Sequence, residues 1–344
     1  MKKICFSFFI LLLGICLYPI LNNYEVPFAI KMLHLSYRLM GLYVGADLSS
    51  NFSRSSVQKF NDFFSSPVQH SPEILIERLL IPSNREGDSH MIPVNIYLNR
   101  SFLSEENQGK LPSIVYIHGG GWVFAPPESL FYERFTREGL AFIEVRYRLA
   151  PENKFPVLLY DCLDVILNET IFKYTNMEKI ALLGDSAGGN LVSSLMYLLR
   201  DQKKPILEKI KYQFLVYPAC GTLDSYPSKE KYNDWYILGD RNMKYYMYSY
   251  ARDERDFENP YFNVMREKNL KGLPQSYFIL SQRDYLFSEG EEYARMMEQL
   301  GDKPVIVRKY NIEHSFFKMK LKESFEAFED MMNFLKEKKF FEKK

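Results

Sequence analysis

A short apolar run, Ile180-Ala181-Leu182-Leu183, stops at Gly184-Asp185-Ser186-Ala187-Gly188-Gly189, and a helical pattern runs on from Ala187 to Arg200. No other feature constrains the chain so strongly. Glycines two residues before and two after a serine, between a buried strand and a helix, describe a turn so tight that only small side chains fit around the serine. Strain in that turn pushes the hydroxyl out of the sheet. A serine helix cap with tight-packing glycines is the plainer reading of the same residues. The strand before and the helix after favour a nucleophile.

The same alternation extends along the chain. Apolar runs at Ile114–Ile117, Ala141–Tyr147, Phe214–Tyr217, Tyr277–Leu280 and Val305–Val307 read as strands. Helical stretches separate them at Pro156–Tyr174, Ser288–Leu300 and Lys320–Lys336. Ile74–Ile81 and Ile92–Leu98 read as two further strands joined by a polar turn with Gly87 and Asp88, and Ser101–Lys110 reads as a polar loop. Strands alternating with helices predict an α/β fold, a mostly parallel central sheet with helices on both faces. Ligands in such sheets bind beyond the carboxyl ends of the strands. The region 221–272 interrupts the alternation with Trp235, Tyr245, Tyr246, Tyr248 and Tyr250 and reads as an insertion, part of a lid or a purely structural extension.

A serine hydroxyl is a weak nucleophile and needs a base. After an elbow of this kind the partners follow in the order acid, then histidine. The chain has five histidines, His34, His70, His90, His118 and His314, and only His314 follows Ser186. For the acid, Asp284 is favoured because it lies just beyond the strand Tyr277–Leu280. Asp253 and Asp256 fall in the charged insertion, and Asp302 reads as a turn residue after Gly301.

His118-Gly119-Gly120-Gly121-Trp122 follows the strand Ile114–Ile117. Consecutive glycines let backbone amides converge on one oxygen, as an oxyanion hole requires. Gly120 and Gly121, with the amide of Ala187, are the expected donors, and Gly119 shapes the turn or adds a third loop donor. A phosphate-cradling loop would need a lysine and hydroxyl that this segment lacks.

These motifs resemble the hormone-sensitive-lipase group of α/β-hydrolases. His-Gly-Gly-Gly-Trp at 118–122 and Gly-Asp-Ser-Ala-Gly-Gly at 184–189 match its two signatures. Tyr147-Arg148-Leu149-Ala150-Pro151-Glu152, with Phe155-Pro156, matches a third stretch. The resemblance covers roughly residues 110–320 and implies an α/β-hydrolase catalytic domain over 71–344. It also implies hydrolysis of small lipophilic esters and some amides without a cofactor or metal, with the triad on Ser186, Asp284 and His314. The chain departs from the group at Ser315, where glycine is usual after the histidine, and at Tyr285, where proline is usual after the acid. A ligand-binding protein on the same fold is the competing reading. Binding members of the broader group typically lose the histidine, and here it is present.

Before the hydrolase region, Lys2 and Lys3 precede an uncharged apolar stretch from Ile4 to Leu21. The order cations, apolar run, then Asn22, Asn23 and Glu25 predicts a signal anchor over 1–21, with the bulk of the chain across the membrane from the cytoplasm. A cleaved signal peptide and secretion are the alternative. The start of the chain, with Glu25-Val26-Pro27, looks like arylacetamide deacetylase and its relatives. That resemblance implies a single-pass enzyme with its catalytic domain in the lumen of the endoplasmic reticulum. Residues 22–70 read as a helical region folding over the core as part of a lid. Sequons at Asn51, Asn99 and Asn168 become glycosylation candidates if the bulk is luminal. Asp161, Asp164 and Asn168 share one helical face, expected to meet solvent.

A formal net charge of +1, with no basic stripe, argues against nucleic-acid binding. Of four cysteines, Cys5 and Cys16 lie in the apolar segment. Cys162 and Cys220 read as buried free thiols, although an oxidising compartment would permit a bridge. No pair has metal-site spacing. The sequence leaves the oligomeric state open.

Overall fold

The computed structural model describes residues 70–103, 111–125, 130–233 and 238–341. The expected anchor at 1–21, the helical region 22–70 except for its last residue, the sequon Asn51 and Trp235 of the insertion lie outside the described residues. Among the described residues no helix is long and apolar enough to cross a membrane.

Among the described residues eight strands form one sheet: β1 (Ile74–Pro82), β2 (Met91–Asn99), β3 (Leu111–Ile117), β4 (Ala141–Val145), β5 (Thr175–Asp185), β6 (Ile210–Val216), β7 (Gln275–Arg283) and β8 (Val305–Glu313). Their spatial order is β1-β2-β4-β3-β5-β6-β7-β8. The first two pairings, β1 with β2 and β2 with β4, are antiparallel, and all the others are parallel. The helices are α1 (Glu133–Thr136), α2 (Val157–Leu167), α3 (Ala187–Asp201), α4 (Ile206–Lys209), α5 (Pro227–Lys231), α6 (Asp240–Tyr250), α7 (Phe287–Leu300) and α8 (Lys322–Glu337).

The period-two geometry of a strand sorts its side chains to opposite faces, and here both faces are apolar. Val115, Ile117, Leu182, Leu215, Phe278 and Leu280 pack with Leu158, Leu191, Leu195 and Tyr293 from α2, α3 and α7. Their neighbours Ile114, Tyr116, Ala181, Leu183, Phe214 and Tyr277 pack with Phe135, Met331 and Leu335 from α1 and α8. Burial on both sides explains why the central strands read as continuous apolar runs rather than as alternating ones.

Two local expectations change. The helix expected over Pro156–Tyr174 ends at Leu167, and a 3-10 turn at Glu169–Phe172 replaces its last part. Asn168 is extended there, and its side chain accepts hydrogen bonds from the Thr170 amide (3.1 Å) and hydroxyl (2.5 Å), an alternative to continuing the helix. The face carrying Asp161 and Asp164 does not meet solvent, for both carboxylates are buried. Asp161 takes Arg148 at 2.6 and 2.9 Å and Arg85 at 2.8 Å, while Asp164 accepts from the amide and side chain of Asn84. Burial pushes both carboxyl pKa values up, opposed by Arg148 at Asp161 and by Asn84 at Asp164.

Candidate active site

β5 delivers Asp185 to the sheet edge, and α3 begins at Ala187, so Ser186 alone makes the turn. It does so at φ 56°, ψ −121°, a conformation non-glycine residues seldom adopt. The turn is held from outside: the Ser186 amide donates to Val216 O (2.8 Å) and the Ala219 amide donates to Ser186 O (3.1 Å). A side chain on Gly188 would sit 2.0 Å from Ile117 O, and one on Gly184 would sit 2.3 Å from Gly188 O, so only hydrogen fits at either place.

His314 follows β8 and Asp284 follows β7, both at the same edge of the sheet as Ser186. The His314 Nε2 lies 3.0 Å from Ser186 Oγ, and its Nδ1 lies 2.6 Å from Asp284 Oδ2. A carboxylate only accepts, so Nδ1 carries the proton and Nε2 is left to accept from the serine hydroxyl. The other Asp284 oxygen accepts from the Leu286 amide at 3.0 Å, which fixes the carboxylate plane. Asp284 is 1% exposed and His314 7%. The ring of Tyr217 packs 4.6 Å from the imidazole. The other acids lie elsewhere: Asp253 binds Arg255, Asp256 binds Arg252, and Asp302 accepts from the Gly272 amide.

The loop after β3 curls through three consecutive positive φ values, Gly120 at 122°, Gly121 at 60° and Trp122 at 61°. Among the described residues the amides of Gly120 and Gly121 take no acceptor, and that of Ala187 is the first of its helix and has none within it. Gly119 differs from the other expected donors. Its amide donates to Asp185 Oδ1 at 2.9 Å, so it shapes the turn and is not available to a substrate oxygen. A side chain on Gly121 would strike the ring of Tyr246 from α6 at 2.5 Å, so that ring lies directly on the loop. His118 is fully buried. Its Nδ1 is 2.9 Å from Gly119 O, its ring stacks on Tyr147, and its own carbonyl accepts from the Tyr147 hydroxyl at 2.6 Å. Burial lowers its pKa to about 3, so the ring is neutral at ordinary pH.

Sequence reasoning did not single out Asp185, Tyr116 or Lys318, yet these hold the loop in place. Asp185 accepts from the Tyr116 hydroxyl at 2.6 Å and pairs with Lys318 at 2.8 Å. An acid just beyond the apolar run Ile180–Leu183 was the available signal, because a buried carboxylate implies partners.

Asn99 is buried, and its Oδ1 accepts from the Ser101 amide and hydroxyl at 3.0 and 2.8 Å. Asn168 is half-buried. Cys162 and Cys220 are free and buried, and no metal-binding group of His, Cys, Asp or Glu occurs among the described residues.

Residues 114–318 match a family described as having the alpha/beta hydrolase fold. An arylesterase of Saccharolobus solfataricus is 33% identical over 220 residues, covering 61% of this chain and 68% of that one. The arylacetamide deacetylase of Bos taurus is 30% identical over 275 residues, covering 75% of this chain. The match spans 65% of that deacetylase's own length. Among solved structures, an esterase of Pyrobaculum calidifontis superposes with a TM-score of 0.71 at 26% identity, covering 84% of this chain and 93% of the esterase.

Proposed function

Because the chain belongs to the family with the α/β-hydrolase fold, we propose that it is a serine carboxylesterase or deacetylase acting on small lipophilic esters, amides of similar shape included. The observation that carries the reading is the continuous relay from Asp284 through His314 to Ser186, at 2.6 and 3.0 Å. His314 Nε2 takes the proton as Ser186 Oγ bonds to the substrate carbonyl carbon. The negative charge that develops on the carbonyl oxygen is met by the amides of Gly120, Gly121 and Ala187. As the tetrahedral intermediate collapses, the imidazolium gives its proton to the departing alcohol or amine and an acyl-Ser186 remains. Water, deprotonated by the same Nε2, then attacks the acyl carbon and releases the acid and free serine. Asp284 holds the tautomer and stabilises the imidazolium throughout.

The insertion over 221–272 acts in this reading as part of a cover on the site, which the position of the Tyr246 ring over Gly121 supports. The cation-then-apolar order at residues 2–21 supports a membrane tether with a luminal catalytic domain in the endoplasmic reticulum. Release from membranes by carbonate would remove the tether, and digestion by protease in intact microsomes would remove the luminal placement.

The catalytic reading is tested with a fluorophosphonate probe and p-nitrophenyl acetate. The expected result is covalent labelling and hydrolysis by the wild type and loss of both in Ser186→Ala. Hydrolysis that survives this substitution would overturn the assignment.

A further inference from the structure

The carboxylate of Asp185 lies at the junction of three segments that catalysis needs. It belongs to the residue before the nucleophile, it accepts from the first glycine amide of the oxyanion loop at 2.9 Å, and it pairs with a lysine four positions beyond His314. Gly119 packs so closely on it that a side chain there would come within 2.8 Å of Oδ2. Gly120 and Gly121 follow directly, and their aim depends on where Gly119 is fixed.

A carboxylate 3% exposed is costly unless it is paired and hydrogen-bonded. The groups facing it from the surrounding elements are Tyr116 on β3, His118 and Gly119 on the oxyanion loop, Tyr147 beyond β4, Tyr217 beyond β6, and Lys318. The three tyrosines are buried, and burial holds their phenols protonated. His118 is neutral. Arg146 is turned to Glu144, at 3.2 Å. Lys318 is thus the single cation that contacts Asp185 among the described residues.

We propose that Lys318 is a positioning residue of the oxyanion loop, acting through Asp185, which it keeps as the anion to which the Gly119 amide and the Tyr116 hydroxyl are anchored. The proposal rests on the esterase reading above. In the wild type Lys318, Tyr116 and Gly119 together outweigh burial and hold the Asp185 pKa below the usual carboxylate range. Asp185 therefore stays the anion above the usual carboxylate range. Without the ammonium, burial dominates and the carboxyl takes up a proton at higher pH. A protonated carboxyl is a weaker acceptor for the Gly119 amide, and the loop slackens.

The test is steady-state hydrolysis of p-nitrophenyl acetate from about pH 5 to about pH 9, with thermal midpoints measured in parallel. For Lys318→Met, kcat is expected to fall about tenfold or more at the acid end and to recover to within about threefold of wild type at the alkaline end. KM should stay within about twofold, because ground-state binding is not the lost interaction. Lys318→Arg should keep the wild-type profile. In the double variant Lys318→Met with Asp185→Asn nothing remains to titrate at this site, so the added acid limb should vanish. A Lys318→Met profile parallel to wild type, whatever its thermal midpoint, would overturn the proposal while leaving the esterase reading intact. Wild-type protein without Ser186-dependent hydrolysis would overturn both. Lys318→Gln serves the same comparison should the methionine variant not fold.

Discussion

The phenol of Tyr285 donates a hydrogen bond to Oδ1 of Asp240, the first residue of α6. Tyr285 directly follows Asp284, and α6 carries Tyr246, whose ring lies on Gly121. One hydroxyl therefore links the loop carrying Asp284 to the helix whose Tyr246 ring lies on Gly121. Burial and the Asp240 carboxylate push the Tyr285 pKa well above its ordinary value, so the phenol remains a donor into the alkaline range. Among the described residues Tyr285→Phe leaves Asp240 with Asn233, at 2.7 Å, as its remaining side-chain partner. The variant should lose about 1.5–3 kcal/mol, the usual worth of a hydrogen bond to a charged group. Urea unfolding checks this, and a wild-type midpoint with an unchanged slope would show that the contact contributes nothing.

Asp284→Asn should lower turnover by about four orders of magnitude, because the carboxamide no longer fixes the donor tautomer of His314. Asp302→Asn should change it by no more than about twofold. Asp302 only accepts from the Gly272 amide at 3.2 Å, on an exposed turn, where substitutions have small effects. Comparable loss in both variants, with folding intact by circular dichroism, would leave the acid without an owner.

Ser315 occupies a left-handed conformation, φ 68° and ψ 10°, directly after His314. A side chain there costs about 1–2 kcal/mol, partly offset by the entropy a glycine would lose on folding, about 0.5–1 kcal/mol. Ser315→Gly should therefore raise stability, by up to about 1 kcal/mol, visible as a thermal midpoint higher by about 1–2 °C. A lower midpoint would mean that the serine hydroxyl makes a compensating contact.

His118 supplies a pH dependence of stability with a definite sign. Its pKa falls from 6.5 in the unfolded chain to about 3 in the fold, with burial as the main cause. Below about pH 6.5 the unfolded chain binds a proton that the folded one refuses, so stability declines by about 1.4 kcal/mol per pH unit until about pH 3. His118→Asn can keep a donor near the Nδ1 position and removes the titration. Thermal midpoints measured between about pH 4 and about pH 7 should converge on wild type at the acid end. Two parallel curves would show that His118 is not the group responsible.

Local pattern determined much of this protein. Short apolar runs predicted the central strands, because a strand buried on both faces must be apolar throughout. The elbow marked Ser186 because its turn excludes side chains on both sides. His314 followed from chain order, since no other histidine comes after the serine. The choice of Asp284 rested on its place at a strand end, and the fold brings that end beside the end of β8, 30 positions later in the chain. Other outcomes depended on partners remote in sequence. Asp161 and Asp164 read as a solvent face because helical periodicity cannot register Arg148 or the Asn84–Arg85 turn, which the sheet brings against them from up to 80 residues away. Whether Gly119 shapes the turn or adds a donor stayed open in the sequence, because nothing in a run of glycines reveals that Asp185, 66 residues on, takes the first amide. A repeat in the sequence records which side of an element is apolar. Which polar group receives each buried hydrogen bond is decided only when the strands are laid side by side, because a buried carboxylate must find its donors wherever the fold supplies them.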